Sequence, residues 1–127
     1  MIKLKPSVLP GILWLIISTV LLTLPGSALP KEDFFDKVYF DKWVHIGMFA
    51  IMVVLWCWAM LKKYTAPGSL KRIFFFMALI WLSYGIVMEF VQLFFIKNRS
   101  FDIGDIAADA VGSFAGLFYS MKRYIKK

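Results

Sequence analysis

The sequence predicts an all-α fold: an integral membrane bundle of four transmembrane helices, both termini cytoplasmic, forming a single domain over residues 1–127. Three observations predict it. The composition is too oily for water, with 61% hydrophobic and 18% aromatic residues and a mean hydropathy of +0.73, where a soluble domain would be nearer half apolar. The apolar residues gather in four runs close to the length that crosses a hydrocarbon core about 30 Å thick. The basic residues cluster between those runs, as they do at membrane flanks.

The first run, residues 8–24, reads VLPGILWLIISTVLLTL. Pro10 falls in its first turn, where the missing N–H costs little. Lys3 and Lys5 before it and Gly26-Ser27-Ala28 after it have the outline of a cleaved leader, but the apolar stretch is long for one, so it is read as a span. The second run is residues 43–61, WVHIGMFAIMVVLWCWAML, and the third is residues 73–96, IFFFMALIWLSYGIVMEFVQLFFI. Between them, Pro67-Gly68 reads as a turn. The fourth run, residues 103–121, is the weakest, because two aspartates and several small residues dilute it.

Charge sets the orientation. The net charge is +7. With the N-terminus inside, the inner segments hold Lys3, Lys5, Lys62, Lys63, Lys71, Arg72, Lys122, Arg123, Lys126 and Lys127, and the outer ones hold Lys31, Lys37, Lys42, Lys97 and Arg99. This bias puts both termini in the cytoplasm of a multi-pass cell-membrane protein. No extended basic face with interleaved aromatics is present, so nucleic acid is not expected as a partner. The single cysteine, Cys57, cannot form an internal disulfide and is read as a small apolar residue. The aromatic excess (Trp43, Trp56, Trp58, Trp81 and Phe74 to Phe76) is expected mostly to face lipid or anchor the interface.

Against this background the polar residues inside the runs stand out. Counting 1.5 Å per residue, Asp105 and His45 lie about 3 Å below the outer boundary, Gln92 about 6 Å, Asp109 about 9 Å and Glu89 about 10 Å. Asp41 and His45 share a face if their helix starts by Asp41, and Glu89 and Gln92 share another. On the fourth run the stripe is Asp102, Asp105, Asp109, Gly112 and Gly116, acidic outside and a close-packing Gly-x-x-x-Gly inside. An acid near mid-span costs about 2.5–3.5 kcal/mol on insertion scales, so Glu89 and Asp109 should face other helices, a cation or a watery pocket. Lys42, His45 and Arg99 are the available cations, and Arg99 is the preferred partner because its fork can hold a carboxylate twice.

Three segments carry a family resemblance: DKWVHIGMF (residues 41–49), EFVQ (89–92) and RSFDIGDIAADAVGSFAG (99–116). Their order and spacing resemble the VanZ-like family of small bacterial membrane proteins, over most of the chain, from Leu24 to Gly116. The family pattern, Asp-Lys-x-x-His, Glu-x-x-Gln, then Arg followed by Asp-x-x-x-Asn-x-x-Gly, falls on Asp41, Lys42, His45, Glu89, Gln92, Arg99, Asp105 and Gly112. Asp109 stands where the family commonly has Asn, which adds a charge. The family is named after a glycopeptide-resistance accessory protein acting on teicoplanin. The resemblance thus implies a role at the cell envelope.

The first reading is binding. A polar pocket in the outer leaflet would hold a lipid head group, a lipid-linked cell-envelope precursor or a glycopeptide-type ligand. Lys42, His45 and Arg99 would meet anionic groups, and Asp41, Glu89, Gln92, Asp105 and Asp109 would order the pocket or meet hydroxyls and amines. The second reading is a membrane-embedded acid–base or metal-dependent hydrolase of a lipid-linked substrate, with His45 and the carboxylates at work. No His-x-x-x-His, cysteine pair or nucleophile motif supports it, so no metal or cofactor is expected. The third is a structural accessory subunit whose polar residues set helix register. A transport role would call for a homo-oligomer. Plainer roles stand beside each candidate: a helix cap for Asp41, snorkelling for Lys42, a simple hydrogen-bonded ring for His45, a helix bridge for Gln92, and a surface pairing with Asp102 or lipid phosphate for Arg99.

Overall fold

The computed structural model describes residues 5–24, 40–96 and 103–125. Among them are four helices and no strand: α1 (Leu9–Leu22), α2 (Phe40–Met60), α3 (Pro67–Phe95) and α4 (Ile103–Tyr124). Two of these, α2 from Lys42 and all of α3, are long and apolar enough to cross a membrane. α1 is apolar but has 14 residues, a rise of about 21 Å. α4 has 22 residues, with Asp105 in its first turn and Lys122 and Arg123 in its last.

The helix ends follow from local chemistry. Pro10 sits in the first turn of α1, and at the other end the Thr23 hydroxyl donates to the Thr19 carbonyl. After α2, the Tyr64 amide still donates to the Met60 carbonyl, and the chain then turns extended at Ala66 (φ −71°, ψ 134°), as a residue before proline should. Pro67 is not a turn residue here but opens α3, which begins six residues before the expected span. Proline suits a first helical position, since its φ is already helical and its absent N–H would have had no partner there. Asp41 also departs from expectation. α2 has begun by Phe40, so Asp41 lies within the helix and does not cap it.

Contacts fix the arrangement. Lys42 meets Asp105, His45 meets Asp109, and Ile46 and Ala50 lie against Gly112 and Gly116, so α2 and α4 run parallel along the closest interface in the molecule. α3 connects them in the opposite direction. α1 lies against α2 and α3, where the Trp14 indole N–H donates to the Met48 carbonyl at 2.9 Å and Thr19 Oγ1 is 2.7 Å from the Tyr84 hydroxyl. One apolar cluster, of Val53, Cys57, Leu70, Phe74, Ala78, Leu117 and Ile125, fills the half of the bundle next to the α2–α3 turn. A second, of Leu22, Met48, Phe49 and Met88, sits under α1. Three aromatic residues expected at the lipid turn inward: Phe74 is fully buried, and the Trp56 and Trp81 rings pair at 5.3 Å. Trp43, Phe75 and Phe76 are exposed.

The polarity of the bundle is reversed relative to a water-soluble one. Ser18, His45, Glu89, Gln92, Asp105, Asp109, Ser113 and Ser120 are buried, while Leu13 and Ile16 of α1, Val87 and Phe94 of α3 and Val111 and Phe118 of α4 are exposed. In water such a surface would drive aggregation. In hydrocarbon it costs nothing, and the polar groups are the ones that must find partners within the protein.

Candidate functional site

The site grows out of α4. Its buried positions are Asp105, Ala108, Asp109, Gly112, Ser113, Gly116, Leu117 and Ser120, a stripe stepping by three and one along a single face. Small residues fill most of it, and this permits a close approach. A Cβ added at Gly112 would run into the Ile46 carbonyl oxygen, and one added at Gly116 would lie 2.6 Å from the Ala50 carbonyl oxygen. The glycines therefore bring the α4 backbone against the α2 backbone one turn inside the aspartates.

That approach lets short carboxylates on α4 reach cations on α2. Lys42 Nζ donates to Asp105 Oδ1 at 2.7 Å. His45 Nδ1 is 2.7 Å from Asp109 Oδ1, with Asp109 only 1% exposed. The other ring nitrogen, His45 Nε2, faces Asp105 Oδ2 at 3.8 Å, beyond a hydrogen bond. The four side chains thus interleave as Lys42, Asp105, His45, Asp109 from the rim inward. Asp105 also sits in the first turn of α4, where the helix dipole favours a negative charge. The His45 ring stacks on Phe49, with centroids 6.4 Å apart and planes 6° off parallel.

α3 closes the far side. Glu89 and Gln92 are each 1% exposed, so both point into the bundle. The negative charge of Glu89 acts on His45. Gln92 has a definite structural task, since its Nε2 donates to the Leu22 carbonyl at 2.8 Å. Leu22 ends α1, and its carbonyl has no partner in its own helix, so Gln92 caps α1 from another helix. Gly85 is the residue that sequence reasoning missed. A Cβ there would lie 2.5 Å from Asp109 Oδ2 and 2.8 Å from the Phe49 ring. Only hydrogen at this position leaves room for the carboxylate. The available signal was the spacing of Gly85, Glu89 and Gln92, which puts a glycine on the polar face of an otherwise bulky helix.

No family model, no curated protein and no solved structure matches the chain.

Of the sequence-derived candidates, Lys42, His45, Asp105 and Asp109 meet directly, Glu89 lies within electrostatic range, and Gln92 is turned toward α1. Arg99 and the side chain of Asp41 lie outside the described residues. Among the described residues, the cations that meet these aspartates are Lys42 and His45. The reason is register: Lys42 and His45 are three residues apart on one face of α2, opposite two aspartates four apart on α4. Chemically, the arrangement offers a rim ammonium, an imidazole steadied from behind by a buried carboxylate, and a surplus of acidic groups deeper in.

Proposed function

We propose that the chain is a VanZ-like membrane protein, a four-span bundle with both termini in the cytoplasm, whose cluster of polar side chains near the outer boundary binds the polar head of a lipid, a lipid-linked cell-envelope precursor or a glycopeptide-type ligand. The observation that carries this reading is the inverted polarity. Glu89 and Asp109 are each 1% exposed and directed into a bundle whose outer faces are apolar. Buried acids of this kind are costly in a membrane and mark functional sites there. The test is co-purification of lipid or precursor with the protein extracted from membranes. The wild type should retain a head-group-bearing species that a Glu89→Gln, Arg99→Ala double variant loses, and equal yields from the two would overturn the reading.

A second reading, acid–base hydrolysis of a lipid-linked substrate, draws on one feature. His45 has Nδ1 held by Asp109 and Nε2 without a hydrogen bond among the described residues. A general base is commonly held in this way by an orienting carboxylate. Release of a soluble head group from lipid-linked substrates by the purified protein, abolished in His45→Gln, is what this reading requires.

A further inference from the structure

We propose that the Lys42–His45 edge of the cluster binds the phosphodiester of a lipid head group, and that His45 takes up one proton as it does so. This rests on the pocket reading above and supplies its ligand class. The starting point is an unmet nitrogen. The His45 side chain is 7% exposed, yet Nε2 has no hydrogen-bond partner among the described residues, the nearest polar atom being Asp105 Oδ2 at 3.8 Å. Such an atom, at the edge of a largely buried ring, is a place where an entering polar group can bond.

The side on which a partner can arrive is the rim. Exposure rises from Asp109 at 1% through Asp105 at 9% to Lys42 at 21%. Lys42 Nζ, on Asp105 Oδ1, puts an ammonium charge at this edge. A group entering beside Asp105 therefore meets an ammonium and the Nε2 edge of an imidazole. With Nδ1–H donated to Asp109, a neutral ring offers only an acceptor at Nε2. Protonated there, it becomes a second charged donor, and its charge stays paired with the carboxylate behind it. Two positive donors on one edge match two oxygens of a phosphodiester.

Among the described residues, the charges of the cluster make room for this proton: Lys42 from α2, Glu89 from α3, and Asp105 and Asp109 from α4, with no charged residue on α1. Acids outnumber bases in that set, so an imidazolium formed as the anion enters keeps carboxylates behind it. The anion is then met by charge at the rim and kept from the deeper carboxylates by the ring itself.

The experiment uses the full chain in maltoside micelles. Short-chain phosphatidylglycerol, dimethyl phosphate and ethanolamine are titrated calorimetrically, in pairs of buffers that differ in ionisation enthalpy, from about pH 6 to about pH 9. The diester does not itself titrate in this range, so protons taken up on binding belong to the protein. Phosphatidylglycerol should bind with an uptake that approaches one proton and should bind more tightly as pH falls. His45→Gln should abolish the uptake and raise Kd about tenfold or more. Lys42→Met should weaken binding while keeping the uptake. The wild-type proton count and the Lys42→Met affinity decide the matter even if the His45 variant does not fold. Binding without proton uptake, or uptake that survives His45→Gln, overturns the proposal. Dimethyl phosphate binding as tightly as the lipid overturns the lipid as source. Binding of ethanolamine alone overturns the anionic class but leaves the pocket standing, and binding of none of the three overturns both.

Discussion

The Lys42–Asp109 end of the α2–α4 interface (its outer half) and the Gly112–Gly116 end (its inner half) use the same pair of parallel helices in opposite ways. In the outer half, side chains cross the gap in pairs: Lys42 with Asp105, and His45 with Asp109, each at 2.7 Å. In the inner half the gap closes, because Gly112 and Gly116 let backbone meet backbone at Ile46 and Ala50, and Val53, Cys57 and Leu117 seal it below. The halves meet within one turn, since Ile46 follows His45 directly and Gly112 lies three residues after Asp109. The difference teaches how a short aspartate can grip a histidine on another helix. The glycine contact fixes the separation, and the His45–Asp109 hydrogen bond one turn above forms at the distance left over.

The comparison can be broken from either half. The largest effect should come from Asp109→Leu, which removes the buried partner of His45 Nδ1 and leaves a polar ring facing apolar surface. Breaking such a pair costs about 3–5 kcal/mol. Thermal unfolding in detergent should show a large drop in midpoint, whereas Asp109→Asn, which still accepts a hydrogen bond, should lose much less. If Leu and Asn proved equally mild, the pair would not be holding the outer half.

Gly112→Val attacks the inner half. Its side chain meets a backbone carbonyl that cannot swing away, so overpacking should cost about 1–3 kcal/mol. The same substitution should spread to the outer half and weaken the His45–Asp109 contact, which a His45 ring NMR signal would report. An unshifted ring signal would show that the two halves are independent.

The smallest effect belongs to the strap that holds α1. Thr19→Val removes the contact with Tyr84 and should cost about 0.6 kcal/mol, the usual worth of an interhelical hydrogen bond in a membrane protein. Faster hydrogen exchange confined to α1 is the expected readout. Exchange raised throughout the bundle would mean that α1 is part of the common core.

Much of this was legible in the chain, for reasons that can be named. The stripe of Asp105, Asp109, Gly112 and Gly116 is visible because helix geometry puts residues three and four apart on one side. Burial of Glu89 and Asp109 follows from the cost of showing a carboxylate to hydrocarbon. Three things were not legible. Lys42 has several carboxylates within the sequence to pair with, and only the position of α4 sets Asp105 against it. Trp56, Trp81 and Phe74 look like lipid-facing bulk until the bundle turns them inward. Gly85 looks like a weak point in an apolar helix until Asp109 is seen against it.

The sequence alone determined the helical class, the oily exterior and which polar residues share a helix face, because each depends only on composition and on the fixed repeat of a helix. The tertiary structure decided the pairings: Lys42 with Asp105, His45 with Asp109, and Gln92 with the end of α1. A hydrogen bond depends on separations of a few tenths of an ångström. Those separations are set by how closely two backbones approach, and periodicity along one chain carries no record of that.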